Sequence, residues 1–128
     1  MTDDLRAAGA RRLPTLHITT TTAAGTMVVT AAGEIDTAVS DTLRDKLVAA
    51  LEARPDVLVV DLSEVPFCDS SGLSVLIDVR GRATEAGIPF RIVTQQRGLL
   101  RPIGLLHLDS VLEIHPNLAA ATGSVPSS

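Results

Sequence analysis

The hydrophobic pattern changes period once between residues 36 and 62, and that change restricts the fold more than any other feature. In "DTAVSDTLRDKLVAALEA", Val39, Leu43, Leu47 and Leu51 recur every four residues, along one face of a helix. Asp36 or Thr37 is placed to cap its start. Asp41 falls in the early turns, where the helix dipole favours an acid, and Arg54-Pro55 ends the segment. "VLVVDL" (57–62) then runs short and continuously apolar, the pattern of a strand covered on both faces. A helix feeding such a strand implies a parallel unit with a right-handed crossover.

The flanking segments extend the same scheme. "TLHITTTT" (15–22) and the start of "TMVVTAAGEI" (26–35) are β-branched runs, and Ala23-Ala24-Gly25 between them reads as a hairpin turn. Further on, Leu73, Leu76, Val79, Ala83 and Ala86 form an inward stripe, which predicts a helix over 71–86 stopped by Gly87. Ser71, Ser74, Asp78, Arg82 and Glu85 fall on another face of it. "PFRIVT" (89–94) is a strand; 97–108 is a short irregular helix because Pro102 interrupts it. "VLEI" (111–114) is the last strand, and 116–122 a terminal helical turn with Pro116 at its entrance. The expected fold is a single α/β domain: a mixed β-sheet, with an N-terminal antiparallel hairpin plus parallel strands, and helices packed against it. Residues 1–13 are expected to form a flexible arm, 14–122 the domain, and 123–128 a flexible tail.

Composition excludes several functions. Hydrophobic residues make up 45% of the chain with two Phe and neither Trp nor Tyr, so the core is aliphatic and no aromatic platform exists to stack unpaired bases. Eleven Lys and Arg against fifteen Asp and Glu give a net charge of −4, with Arg11-Arg12 the one adjacent basic pair, so direct nucleic-acid binding is not expected. The single cysteine, Cys68, can form neither an internal disulfide nor a multi-cysteine metal site, which fits a reducing compartment. The N-terminus lacks the apolar core of a secretory signal, and no stretch is long and apolar enough to span a bilayer. A soluble cytoplasmic protein without membrane contact is expected.

"FCDSSGLSVL" (67–76) joins an apolar strand to an amphipathic helix through small polar residues. A nucleophile elbow needs G-x-S-x-G, whereas here glycine stands on one side of the serines only, and His17, His107 and His115 lie in no partner motif. His107, Asp109 and His115 lack metal-ligand spacing. The carboxylate pairs Asp61 with Asp69 and Glu34 with Asp36 read as loop and cap residues. Neither phosphate-cradling glycine motif occurs. No enzyme and no cofactor emerge from these residues. A helix cap explains one small polar residue before 71–86, but not two serines and a glycine in the first turn, where glycine is a poor helix former. Gly72 lets another group come close, so the site looks built to be approached.

These residues carry a resemblance. "FCDSSGLSVLIDVRGRA" resembles the signature of the STAS domain family, specifically of bacterial anti-sigma factor antagonists. "VVTAAGEIDTAVSDTLRDKLVAAL" is similar to that family's first conserved block and "GLLHLDSVLEIHPNLAAA" to its C-terminal block, in order over about residues 14–122. The resemblance implies a STAS-like domain. It also implies a partner: an anti-sigma factor of histidine-kinase-like ATPase fold that is also a serine kinase. The unmodified antagonist captures this partner and frees a sigma factor; phosphorylation with ATP releases it, and a phosphatase resets the switch. Carried over residue by residue, the acceptor is Ser70, with Ser71 the runner-up. The partner face comprises Asp36, Asp69, Ser70, Ser71, Gly72 and Ser74, on two strand-end loops expected to lie side by side. The alternative the family offers is a scaffold or adaptor in another signalling assembly, stressosome-like or transporter-associated, without sigma-factor release. Three positions depart from the family's habit. Ser74 and His107 stand where glycine is common, and Cys68 replaces an aliphatic residue and reads as a small buried hydrophobe.

Overall fold

The chain lays down a five-stranded sheet in strict sequence order, β1 to β5, in the computed structural model, which describes residues 16–122. The expected arm (1–13) and tail (123–128) lie outside the described residues. The strands are β1 (His17–Ala23), β2 (Thr26–Ala32), β3 (Val57–Glu64), β4 (Phe90–Val93) and β5 (Glu113–His115). Among the described residues four α-helices intervene or follow: α1 (Thr37–Glu52), α2 (Ser70–Ala86), α3 (Arg97–Leu105) and α4 (Leu118–Thr122), with a 3-10 turn at Leu108–Ser110. β1 pairs antiparallel with β2, and every other neighbouring pair is parallel. The mixed sheet is therefore the one the pattern implied.

The hairpin turns through Ala24 (φ 53°) and Gly25 (φ 84°). Two successive left-handed residues match the right-handed twist of the strands they join. β3 is buried from Leu58 to Leu62, as a continuously apolar strand should be. Its side chains alternate: Leu58, Val60 and Leu62 join the main core under α1 and α2, while Val59 packs with Val93 and with Ala121 of α4 on the opposite side. Leu43 and Leu47 of α1 and Leu76 and Val79 of α2 complete the main core. Each such side chain contributes about 1.5–3 kcal/mol on burial. Asp61, buried between these apolar neighbours, accepts hydrogen bonds from the Ser63 N–H (3.0 Å) and hydroxyl (2.7 Å). It lies within β3 rather than in a loop or cap as the sequence suggested.

Several boundaries differ from the expectations. α2 begins at Ser70, one residue early, and Ala86 is exposed rather than inward, because the helix ends there in the left-handed cap at Gly87 (φ 72°). Val75, outside the expected stripe, is buried. α3 runs through Pro102 to Leu105, so the proline shortens the helix less than its missing N–H suggested. β5 lies at 113–115 rather than 111–114. At α4 the cap is Asn117, whose Oδ1 accepts from the Ala120 N–H at 2.9 Å, and Pro116 stands one residue further out. His107 adopts the left-handed conformation (φ 60°), which glycine takes at no steric cost and a side chain does not. Among the described residues no helix is long and apolar enough to cross a membrane.

Candidate functional site

Past their paired segments, β2 and β3 keep running side by side. A bulge shifts the register between Thr30 and Ala32, and Ile35 then forms an isolated parallel bridge with Cys68. Three backbone hydrogen bonds hold the two loops together. The Gly33 N–H donates to the Glu64 carbonyl (3.1 Å), the Ile35 N–H to that of Phe67 (3.0 Å), and the Asp69 N–H to that of Ile35 (3.0 Å). The two strand-end loops are thus adjacent, and α1 and α2 both start from this edge. Long-range backbone pairing fixes that placement, and no local periodicity could have revealed it.

Each helix start is capped by its aspartate. Asp36 Oδ1 accepts from the Ala38 N–H (3.0 Å). Asp69 Oδ1 accepts from the Ser71 N–H (2.9 Å), the Gly72 N–H (3.2 Å) and the Ser71 hydroxyl (2.5 Å). These donors hold the Asp69 carboxyl below the usual carboxylate range. The Ser71 hydroxyl is the largest influence; partial desolvation opposes it, and the backbone N–H groups of Gly72, Ser71 and Thr37 add to the lowering.

The expected site residues separate into three environments. Asp36, Ser70 and Ser74 are exposed; Asp69 and Ser71 are half-buried; Gly72 is buried. No described group hydrogen-bonds the Ser70 hydroxyl, whereas that of Ser71 is held by Asp69. Gly72 corrects the reading of the sequence. A Cβ there would meet Cys68 Sγ and would lie 2.7 Å from Ile35 Cγ2, so the close approach that glycine permits is internal. It seats α2 on the Ile35–Cys68 bridge.

Cys68 is buried, and desolvation, helped by the nearby Asp69 charge, pushes its thiol up to about 12. It stays protonated and behaves as the small hydrophobe expected of it. The histidines go elsewhere. His17 opens β1, His107 occupies the left-handed turn, and His115 Nε2 lies 2.8 Å from Glu113 Oε2, which also pairs with Arg91 at 3.0 Å.

Phe67 was not singled out by motif reasoning, yet 47% of it is exposed, two residues before Asp69 in the chain. A large apolar side chain one step from the polar cluster was the available signal. Gly98 of α3 packs against the Pro66 carbonyl, and Gln96 Nε2 donates to the Ser63 carbonyl (3.0 Å), so α3 buttresses this loop from the other side.

A mixed sheet in sequence order, two capped helices rising from one edge, and an exposed serine between paired loops define a small single α/β domain with one distinctive loop cluster. The STAS domain pattern matches residues 17–121, and the chain belongs to the STAS domain family. It is similar to the anti-sigma-F factor antagonist RsfA of Mycobacterium tuberculosis, 31% identical over 97 residues covering 74% of this chain and 76% of that one. RsfB of the same organism, also an anti-sigma-F factor antagonist, is 30% identical over 101 residues, covering 79% and 82%. The crystal structure of an anti-sigma factor antagonist from Mycobacterium paratuberculosis superposes with a TM-score of 0.76 at 29% identity, covering 87% of this chain and 94% of the other.

Proposed function

We propose that this chain is an anti-sigma factor antagonist whose unmodified form binds an anti-sigma factor and so frees a sigma factor. Phosphorylation of Ser70 ends that binding. The partner is a serine kinase of histidine-kinase-like ATPase fold, and a phosphatase restores the hydroxyl. The docking face comprises Asp36, Asp69, Ser70, Ser71 and Ser74, with Phe67 added as its apolar anchor; Gly72 supports it from beneath by letting α2 seat closely. The observation that carries this reading is the exposed, unengaged Ser70 hydroxyl at the meeting point of two hydrogen-bonded loops. The curated relatives named as anti-sigma-F factor antagonists point the same way.

A phosphate adds a charge of about −1.5 to −2 at neutral pH. At many helix starts the free N–H groups would absorb it. Here the N–H groups of Ser71 and Gly72 are already bound to Asp69. The new charge therefore stays outward, beside two existing carboxylates, where a partner must meet it. One like-charge contact near 4 Å costs roughly 4 kcal/mol at an effective dielectric of 20. At about 1.4 kcal/mol per tenfold, a single phosphate weakens docking several hundredfold.

The test is reconstitution with a serine kinase of histidine-kinase-like ATPase fold from the same organism. Phosphate mapped by mass spectrometry is expected on Ser70, and Ser70→Asp is expected to abolish the complex while Ser70→Ala locks it. Absence of phosphate from both serines rules out the switch. A complex indifferent to Ser70→Asp makes the chain a scaffold in another assembly.

A further inference from the structure

We propose that Asp69 selects which of the two adjacent serines is modified, by holding the Ser71 hydroxyl so that only Ser70 can accept a phosphoryl group. The inference rests on the proposed switch and assigns a positioning role within it. In the transfer, the Ser70 Oγ–phosphorus bond forms as the bond between the γ-phosphorus and the β-phosphate oxygen of ATP breaks. ADP leaves, and the hydroxyl proton passes to a base of the kinase or to water. The acceptor must therefore turn a lone pair toward the nucleotide and release its proton.

Ser70 meets both demands: its residue is exposed, and no described group holds its hydroxyl. Ser71 meets neither. It is half-buried inside the first turn of α2, and its proton is donated to Asp69 Oδ1 at 2.5 Å. The same oxygen takes the Ser71 and Gly72 N–H groups, which fix it beside the Ser71 hydroxyl, so swinging that hydroxyl out forfeits a bond to a charged, immobile acceptor. Nor does Asp69 activate Ser71 as a base. Its carboxyl is held below the ordinary range, which makes it a weak proton acceptor from a hydroxyl. A hydrogen bond to a charged group of this kind corresponds to a preference for Ser70 of roughly ten- to a hundredfold.

The same kinase and Mg²⁺-ATP read this out as the ratio of phosphate on the two serines. The wild-type chain is expected to carry it on Ser70, and Ser70→Ala to acquire it on Ser71 roughly ten- to a hundredfold more slowly. In the double variant Ser70→Ala with Asp69→Asn, Ser71 is freed and phosphate appears there. A merely structural role for Asp69 would lower total modification without moving its position. Circular dichroism checks that the double variant folds; if it does not, Ser70→Ala alone decides. Wild-type-like phosphorylation of Ser71 in Ser70→Ala overturns the inference and leaves the switch standing. A folded double variant that gains no phosphate on Ser71 also overturns it. Absence of phosphate from both serines of the wild-type chain overturns switch and inference together.

Discussion

Gly72 and Ile35 pack so closely that a single methyl group on the glycine would fall 2.7 Å from Ile35 Cγ2 and would also meet Cys68 Sγ. This contact joins α2 to the loop that starts α1, directly beneath the serines. It makes the geometry of the exposed cluster a property of the core.

Gly72→Ala is accordingly expected to destabilise the fold by about 1–3 kcal/mol, the usual cost of overpacking, despite the better helix propensity of alanine. The drop in urea midpoint at unchanged slope measures it. An unchanged or raised midpoint would mean that Ile35 and Cys68 shift freely, and that the two loops are not rigidly coupled.

The Asp69 cap gives a pH dependence of defined sign. Its carboxyl titrates lower in the folded chain than in the unfolded one, so its stabilisation is complete above the unfolded value and is lost as pH falls through the folded value. The stability advantage of the wild-type chain over Asp69→Asn is expected to be full at neutral pH and to shrink below about pH 4. Urea midpoints of both chains from neutral to strongly acid solution record it. A difference that grows on acidification would contradict the hydrogen-bonded cap.

Cys68 offers a chemical check on burial. With the thiol pushed up to about 12 and enclosed between Ile35 and α2, a disulfide reagent at pH 8 should react over hours in the folded chain and within minutes in denaturant. Fast reaction of the folded chain would show the bridge region opening to solvent.

His107→Gly should raise stability by about 1 kcal/mol, because the backbone there is left-handed (φ 60°) and a side chain makes that costly. Thermal unfolding of His107→Gly beside His107→Ala separates backbone relief from loss of the imidazole. The alanine variant is expected to stay at or below the wild-type midpoint.

Phe67→Ser tests the apolar anchor. With 47% of the residue exposed, the change should leave the unfolding free energy within about 0.5 kcal/mol of wild type while weakening the complex with the proposed partner tenfold or more. Titration calorimetry reads the second quantity. Unaltered affinity would place the interface elsewhere on the surface.

The order and type of the elements, the mixed sheet and the aliphatic core were determined by the sequence alone. They depend on local periodicity: the four-residue repeat of Val39 to Leu51, the unbroken run at 57–62 and the stop at Gly87 each act within one segment. That each helix starts at a small polar cap was legible for the same reason, since a cap reaches only two or three residues ahead, but the choice of Asp36 over Thr37 and of Asp69 for the second helix came from the coordinates. Tertiary structure decided what those segments do to one another. The bridge between Ile35 and Cys68 joins residues far apart in the chain, and parallel register beyond a bulge sets it. Only that bridge turns Gly72 inward. The difference between the serines needed coordinates too, because adjacent identical hydroxyls are separated by the direction each side chain takes at the first turn of α2, and composition carries no record of direction.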